Sequence, residues 1–230
     1  MSEKLTIADS KKAFHKAFPY VIPPIYRRVA DELLVELHLL SHQRDFKPGT
    51  IFAVGLQNVF KSFTRGYRPE NHLPALFKAI CESNGFDSEK LISDSTKTLE
   101  LIKDKKTNEI EDWLKNSGDG APGKLKEEIK TFSKGNSYYN RLISIGIYTL
   151  LSESSATENE REELINTIKE TCNNYGFSAN RVERDLKQYS SNIKKISQAL
   201  ELMQEAVQRE RTKNKPIEKA VSVEMKEVTN

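Results

Sequence analysis

Apolar residues along this chain recur every three or four positions, and no segment alternates them with polar residues long enough to make a strand. That spacing predicts an all-α fold, a multi-helix bundle with a long C-terminal heptad-patterned helix. Thr6 with Asp9 opens a short first helix that ends at Phe18-Pro19. Pro23-Pro24 starts a second, running to about 43, because proline is tolerated where the amide would be unpaired anyway. Lys47-Pro48-Gly49 turns the chain into a helix over 51–64. Further helices are predicted over 71–84, from an Asp87 or Ser88 cap to 103, from a Thr107 cap through Trp113, and over 124–133. The segment 117–123, rich in glycine, reads as a flexible connector. Residues 138–152 are apolar nearly all round, as a helix at the centre of a bundle is. Thr157 and Glu160 match a capping box, opening a helix that ends at Tyr175-Gly176.

The last helix carries the most regular pattern. After a Ser178 cap, Val182, Leu186, Tyr189, Ile193, Ile196, Leu200, Met203 and Val207 follow one another at alternating steps of four and three. A helix over 178–211 would be roughly 50 Å long. Burying such a stripe is worth roughly 1.5–3 kcal/mol per side chain, gross, so it is expected to be covered. Its cover can be a second copy, a partner helix or the chain's own bundle, which leaves the oligomeric state open. The tail 212–230 contains Pro216 and no seam, and is expected to be disordered. The expected division is therefore a bundle over 1–177, a long helix over 178–211, and the tail.

Several features return after 91 residues. Gly55 falls on Gly146, Leu73 on Leu164, Cys81 on Cys172, and Gly85-Phe86 on Gly176-Phe177. A repeated three-helix unit over 50–103 and 141–194 would produce this, each copy using one glycine for close helix approach and one as a C-cap. On that view Val182, Leu186 and Tyr189 belong to the core, and Leu200, Met203 and Val207 are left to contact a partner.

Composition narrows the function classes. Of 230 residues, 37% are hydrophobic and 30% charged, which is polar but outside the disordered class. A net charge of +3 is too small to imply nucleic acid. Cys81 and Cys172 read as two buried thiols in a reducing compartment, not as a secreted disulfide framework. The first 20 residues hold no signal-peptide core, and Glu3 and Asp9 argue against an Arg-rich transit peptide. The longest apolar run, 142–151, is half as long as the ~20 residues a spanning helix needs. Membrane association is expected to be peripheral or through a partner.

No motif supports catalysis, a cofactor or a metal. The 117–123 loop lacks the Gly-Lys-Ser/Thr ending of a phosphate loop. His38 and His42 share a helix face at i, i+4, but there is no His-Glu-x-x-His and no second ligand pair, so they read as solvated or hydrogen-bonded histidines. The informative polar group is on the second helix, where Arg28, Glu32 and Glu36 form one ridge among apolar neighbours. Carboxylates in that setting must be paired or face a partner. Two readings follow: an Arg28–Glu32 bridge with Glu36 paired to Arg141, or a ridge that docks a partner.

Tyr26-Arg27-Arg28-Val29-Ala30-Asp31-Glu32-Leu33-Leu34-Val35-Glu36-Leu37-His38-Leu39-Leu40 resembles the hallmark helix of the thylakoid formation protein family, the photosystem II biogenesis protein of cyanobacteria and chloroplasts. Phe52-Ala53-Val54-Gly55-Leu56 with Gly66-Tyr67 resembles its second block. Tyr139-Asn140-Arg141-Leu142-Ile143-Ser144-Ile145-Gly146-Ile147-Tyr148-Thr149-Leu150-Leu151 resembles its third, and the stretch 185–199 the start of its coiled-coil end. A start at Met1 without a transit peptide fits a cyanobacterial-type member. The resemblance implies a non-enzymatic accessory factor in thylakoid biogenesis and photosystem II repair, at the cytoplasmic face of the thylakoid membrane. It would bind and stabilise the FtsH-type membrane protease complex. It transfers no catalytic residue, cofactor or metal. The alternative is a peripheral lipid-binding protein acting directly in membrane formation, which the seam favours less because no basic cluster or Trp flanks it.

Overall fold

The computed structural model describes residues 5–44, 46–135, 137–152 and 159–227, with side chains described from 162 in the ninth helix and up to 209 in the last. Among these residues the regular elements are α1 (Ile7–Ala17), α2 (Pro24–Ser41), α3 (Thr50–Phe63), α4 (Leu73–Glu82), α5 (Ser88–Ile102), α6 (Thr107–Lys115), α7 (Gly123–Ser133), α8 (Arg141–Ser152), α9 (Asn159–Asn174) and α10 (Ala179–Glu227), with one 3-10 turn at Glu70–His72. The capping box of α1 forms as Thr6 and Asp9 predict: each backbone amide donates to the other side chain, at 2.9 and 3.3 Å. The Thr157–Glu160 cap lies outside the described residues.

The core is a pair of apolar helices, α3 and α8, buried along almost their whole length. They cross backbone to backbone. A Cβ on Gly55 would stand 1.9 Å from the Leu142 carbonyl oxygen, and one on Gly146 would stand 2.0 Å from that of Ile51. Only glycine permits that approach. Around the pair, α5 and α7 pack on α3, α9 and α6 on α8, and α1, α2 and α4 on one another.

The 91-residue interval has structural counterparts. It separates the starts of α5 and α10, and also the two crossing glycines. The Phe86 amide donates to the Cys81 carbonyl at 3.1 Å and the Phe177 amide to Cys172 at 2.9 Å, with φ of +79° at Gly85 and +78° at Gly176. Asn58 donates to Thr149, again 91 positions on. These correspondences have the form that a repeated three-helix unit would give.

Compactness divides the chain after Tyr189, later than the expected 177, because Val182, Leu186 and Tyr189 on the first turns of α10 are buried. Residues 190–230 form the second unit, helical as far as Glu227. The backbone stays helical past 211 and through Pro216, where disorder was expected. One proline removes a single ladder bond at a cost of about 3 kcal/mol, without obliging the chain to unwind.

Two local expectations are corrected. Thr107 is the first residue of α6 and not its cap, because the Glu109 carboxylate accepts from the Lys106 amide at 3.1 Å. The 117–123 connector is wound, not loose: Gly118, at φ +82°, donates its amide to Trp113 at 2.7 Å and packs against the Lys126 backbone.

The start of α3 borrows its cap from another helix. Gly49 precedes it and offers no side chain, and Glu128 of α7 accepts from Thr50 Oγ1 at 2.7 Å and from the Ile51 amide at 2.9 Å. Glu128→Ala is expected to cost about 1–2 kcal/mol in urea unfolding, with Glu128→Gln recovering part of it through its carbonyl oxygen. Equal stability of wild type and Glu128→Ala would show that water replaces the cap without penalty.

Candidate functional site

The polar ridge of α2 faces a groove of about 890 Å³ whose other wall is the segment before α8 and the first turns of α10. The groove lies within the first unit. Arg28 Nε donates to Glu32 Oε1 at 2.8 Å on its outer lip, where Arg28 is 86% exposed, so that bridge contributes little. Deeper in, Glu36 meets Arg141, the first residue of α8: Nε lies 3.0 and 2.8 Å from the two carboxylate oxygens, and Nη2 2.8 Å from Oε2. Burial pushes the Glu36 carboxyl above its ordinary range, against the opposing pull of the guanidinium.

Residues that periodicity did not single out complete the wall. Tyr138, Tyr139 and Asn140, predicted inside the eighth helix, stand in front of it. Asn140 Oδ1 accepts from the Ile143 amide at 3.2 Å, as a cap does, and its Nδ2 has no acceptor although the residue is buried. The Tyr139 hydroxyl donates to Asp185 Oδ2 at 2.9 Å, and the Arg181 guanidinium lies over the Tyr139 ring at 5.0 Å. The available signal was the Tyr-Tyr-Asn triplet, polar-tipped side chains ahead of an otherwise apolar helix.

Of the remaining candidates, Leu200, Met203 and Val207 belong to the second unit. Leu200 is half-buried, and Met203 and Val207 are 53% and 48% exposed. They therefore form a separate candidate surface.

His38, His42 and the two cysteines are engaged or buried within the fold. His38 is buried with Nδ1 2.9 Å from Ser10 Oγ, tying α2 to α1, and His42 Nδ1 donates to the His38 carbonyl at 2.9 Å. Cys81 and Cys172 are free and buried, and burial pushes both thiols up to about 12, far from a reactive thiolate. Among the described residues no three potential ligands gather as a metal site, and no helix is long and apolar enough to cross a membrane.

A sequence model of the family described as "Thylakoid formation protein" matches residues 6–217. Protein Thf1 of Prochlorococcus marinus (strain MIT 9313) is 44% identical over 222 residues, 96% of this chain and 91% of that protein. Protein Thf1 of Parasynechococcus marenigrum (strain WH8102) is 45% identical over 215 residues, 93% of each. A solved structure described as that of Psb29 superposes with a TM-score of 0.76 at 31% identity, covering 91% of this chain and 98% of that one.

Proposed function

The chain belongs to the thylakoid formation protein family, and from that premise we propose that it is a non-enzymatic accessory factor in thylakoid biogenesis and photosystem II repair, acting by binding and stabilising the FtsH-type membrane protease complex. It would do so from the cytoplasmic face, held at the thylakoid membrane peripherally. The observation that carries a binding role over a catalytic one is the state of the polar groups. The two thiols are buried and protonated, His38 is buried and hydrogen-bonded to Ser10, and the Glu36 carboxylate of the α2 groove is engaged by Arg141. A binding protein keeps such groups quiet, whereas a catalyst needs at least one poised to react.

Pulldown with the full chain from solubilised thylakoid membranes is expected to retain the protease, and deletion of the gene to lower protease abundance and slow recovery from strong light. Unchanged protease abundance in the deletion overturns the reading. If the chain instead acts on lipid directly, it will float with anionic vesicles in the absence of any protein partner.

A further inference from the structure

We propose that the groove between α2, residues 138–141 and the start of α10 takes an acidic, leucine-bearing peptide segment of a protein partner. This deepens the reading of the chain as a partner-binding factor and rests on it.

The groove's apolar surface is open. Leu39 is 64% exposed and Tyr138 39% exposed, and Val35, one turn before Leu39 on α2, is only half-buried. A surface of that kind inside a concavity marks a binding site more often than scattered exposed leucines do.

The polar surface is short of acceptors. Of the carboxylates lining the groove, Glu36 is held by Arg141, Glu32 by Arg28, and Asp185 by the Tyr139 hydroxyl with Arg184 at 3.8 Å; Asp31 is the remaining one. Arg181 is exposed with only the Tyr139 face beneath it, and Arg27 is exposed on the α2 side. Neither pairs with a carboxylate among the described residues. Arg28 and Arg184, 86% and 73% exposed, are loosely committed. Asn140 Nδ2, a buried atom of a lining residue with no hydrogen-bond partner, is also a donor. What would satisfy this surface is therefore apolar side chains together with carboxylate or carbonyl oxygens. Guanidinium forks bind carboxylates in a fixed plane, and a peptide supplies both oxygen types on one chain.

The test uses the full chain and a fluorescein-labelled amphipathic peptide of Glu and Leu, beside the same peptide with Gln in place of Glu. Fluorescence anisotropy is expected to give wild-type binding that is at least tenfold weaker for the Gln peptide. Arg27→Glu with Arg181→Glu, and separately Leu39→Glu, are expected to weaken the Glu peptide at least tenfold. All these side chains are exposed, and circular dichroism checks that the variants keep their helix content. Failure of wild type to bind, or equal binding by both peptides or by all variants, overturns the proposal. So does loss of flotation with phosphatidylglycerol vesicles in the same variants when the peptide does not bind, since the occupant is then lipid. Protease capture separates the two readings. If wild type does not retain the protease, the proposed function falls and the peptide titration alone judges the groove. If wild type and the double arginine variant retain it equally, the proposed function stands and the groove proposal falls.

Discussion

Gly146→Ala is expected to destabilise the protein by at least about 3 kcal/mol, a large fraction of the stability of a typical domain. The new methyl would sit 2.0 Å from the Ile51 carbonyl oxygen and 2.9 Å from both the Ile51 carbonyl carbon and Cγ2. Two of those atoms are backbone, so no rotamer change relieves the contact. The helices must separate, and every side chain between α3 and α8 then loses packing. Gly55→Ala meets the Leu142 carbonyl oxygen at 1.9 Å and should behave alike. Gly85→Ala is the control: nothing lies within 4 Å of its Cβ position, and the cost is only that of a left-handed φ of +79°, about 1–2 kcal/mol. Urea unfolding of the three variants separates steric from conformational cost. A Gly146→Ala deficit no larger than that of Gly85→Ala would mean that the crossing relaxes freely.

That crossing marks how far the sequence could be read. Helix spacing, proline starts and glycine stops place the elements because they act within one turn of the chain. Gly55 and Gly146 could be recognised as a matched pair from their 91-residue interval, but that they touch each other is a tertiary fact. The Glu128 cap escapes sequence reading for the same reason: its recipient, the start of α3, is 77 residues away, and no local rule links them. Thr107 shows local rules in conflict, since a threonine before a helix and a glutamate three residues after a lysine both signal a start, and the glutamate wins. In the candidate site, the α2 ridge was legible from i, i+4 spacing. The opposite wall was not, because Tyr139, Asn140 and Arg181 reach it only when the α8 and α10 starts are brought beside α2.

Arg141→Met is the second large effect, expected at about 2–3 kcal/mol near neutral pH. The pair is not fully buried, with side-chain exposures of 29% for Arg141 and 18% for Glu36, so the loss is below that of a dry ion pair. What remains after the substitution is a carboxylate in an apolar wall. The charge attraction and hydrogen bonds of Arg141, the influences that lower the Glu36 carboxyl, are gone, while burial and the nearby Asp185 and Glu32 still raise it. Its folded value therefore climbs further above the ordinary 4.5. A carboxyl raised in the folded state holds its proton better folded than unfolded. Its favourable contribution is complete below the unfolded value and is lost as pH rises through the folded one. The Arg141→Met deficit is thus expected to be largest at neutral and alkaline pH and to shrink on acidification towards about pH 5. Adding Glu36→Leu should remove the pH dependence and return most of the stability, since the costly element is the unpaired charge and not the absence of the pair. Thermal melts of the single and double variants across pH decide this. A deficit independent of pH, or a double variant as unstable as Arg141→Met, would show that the guanidinium matters through its packing against α2 and not through its charge.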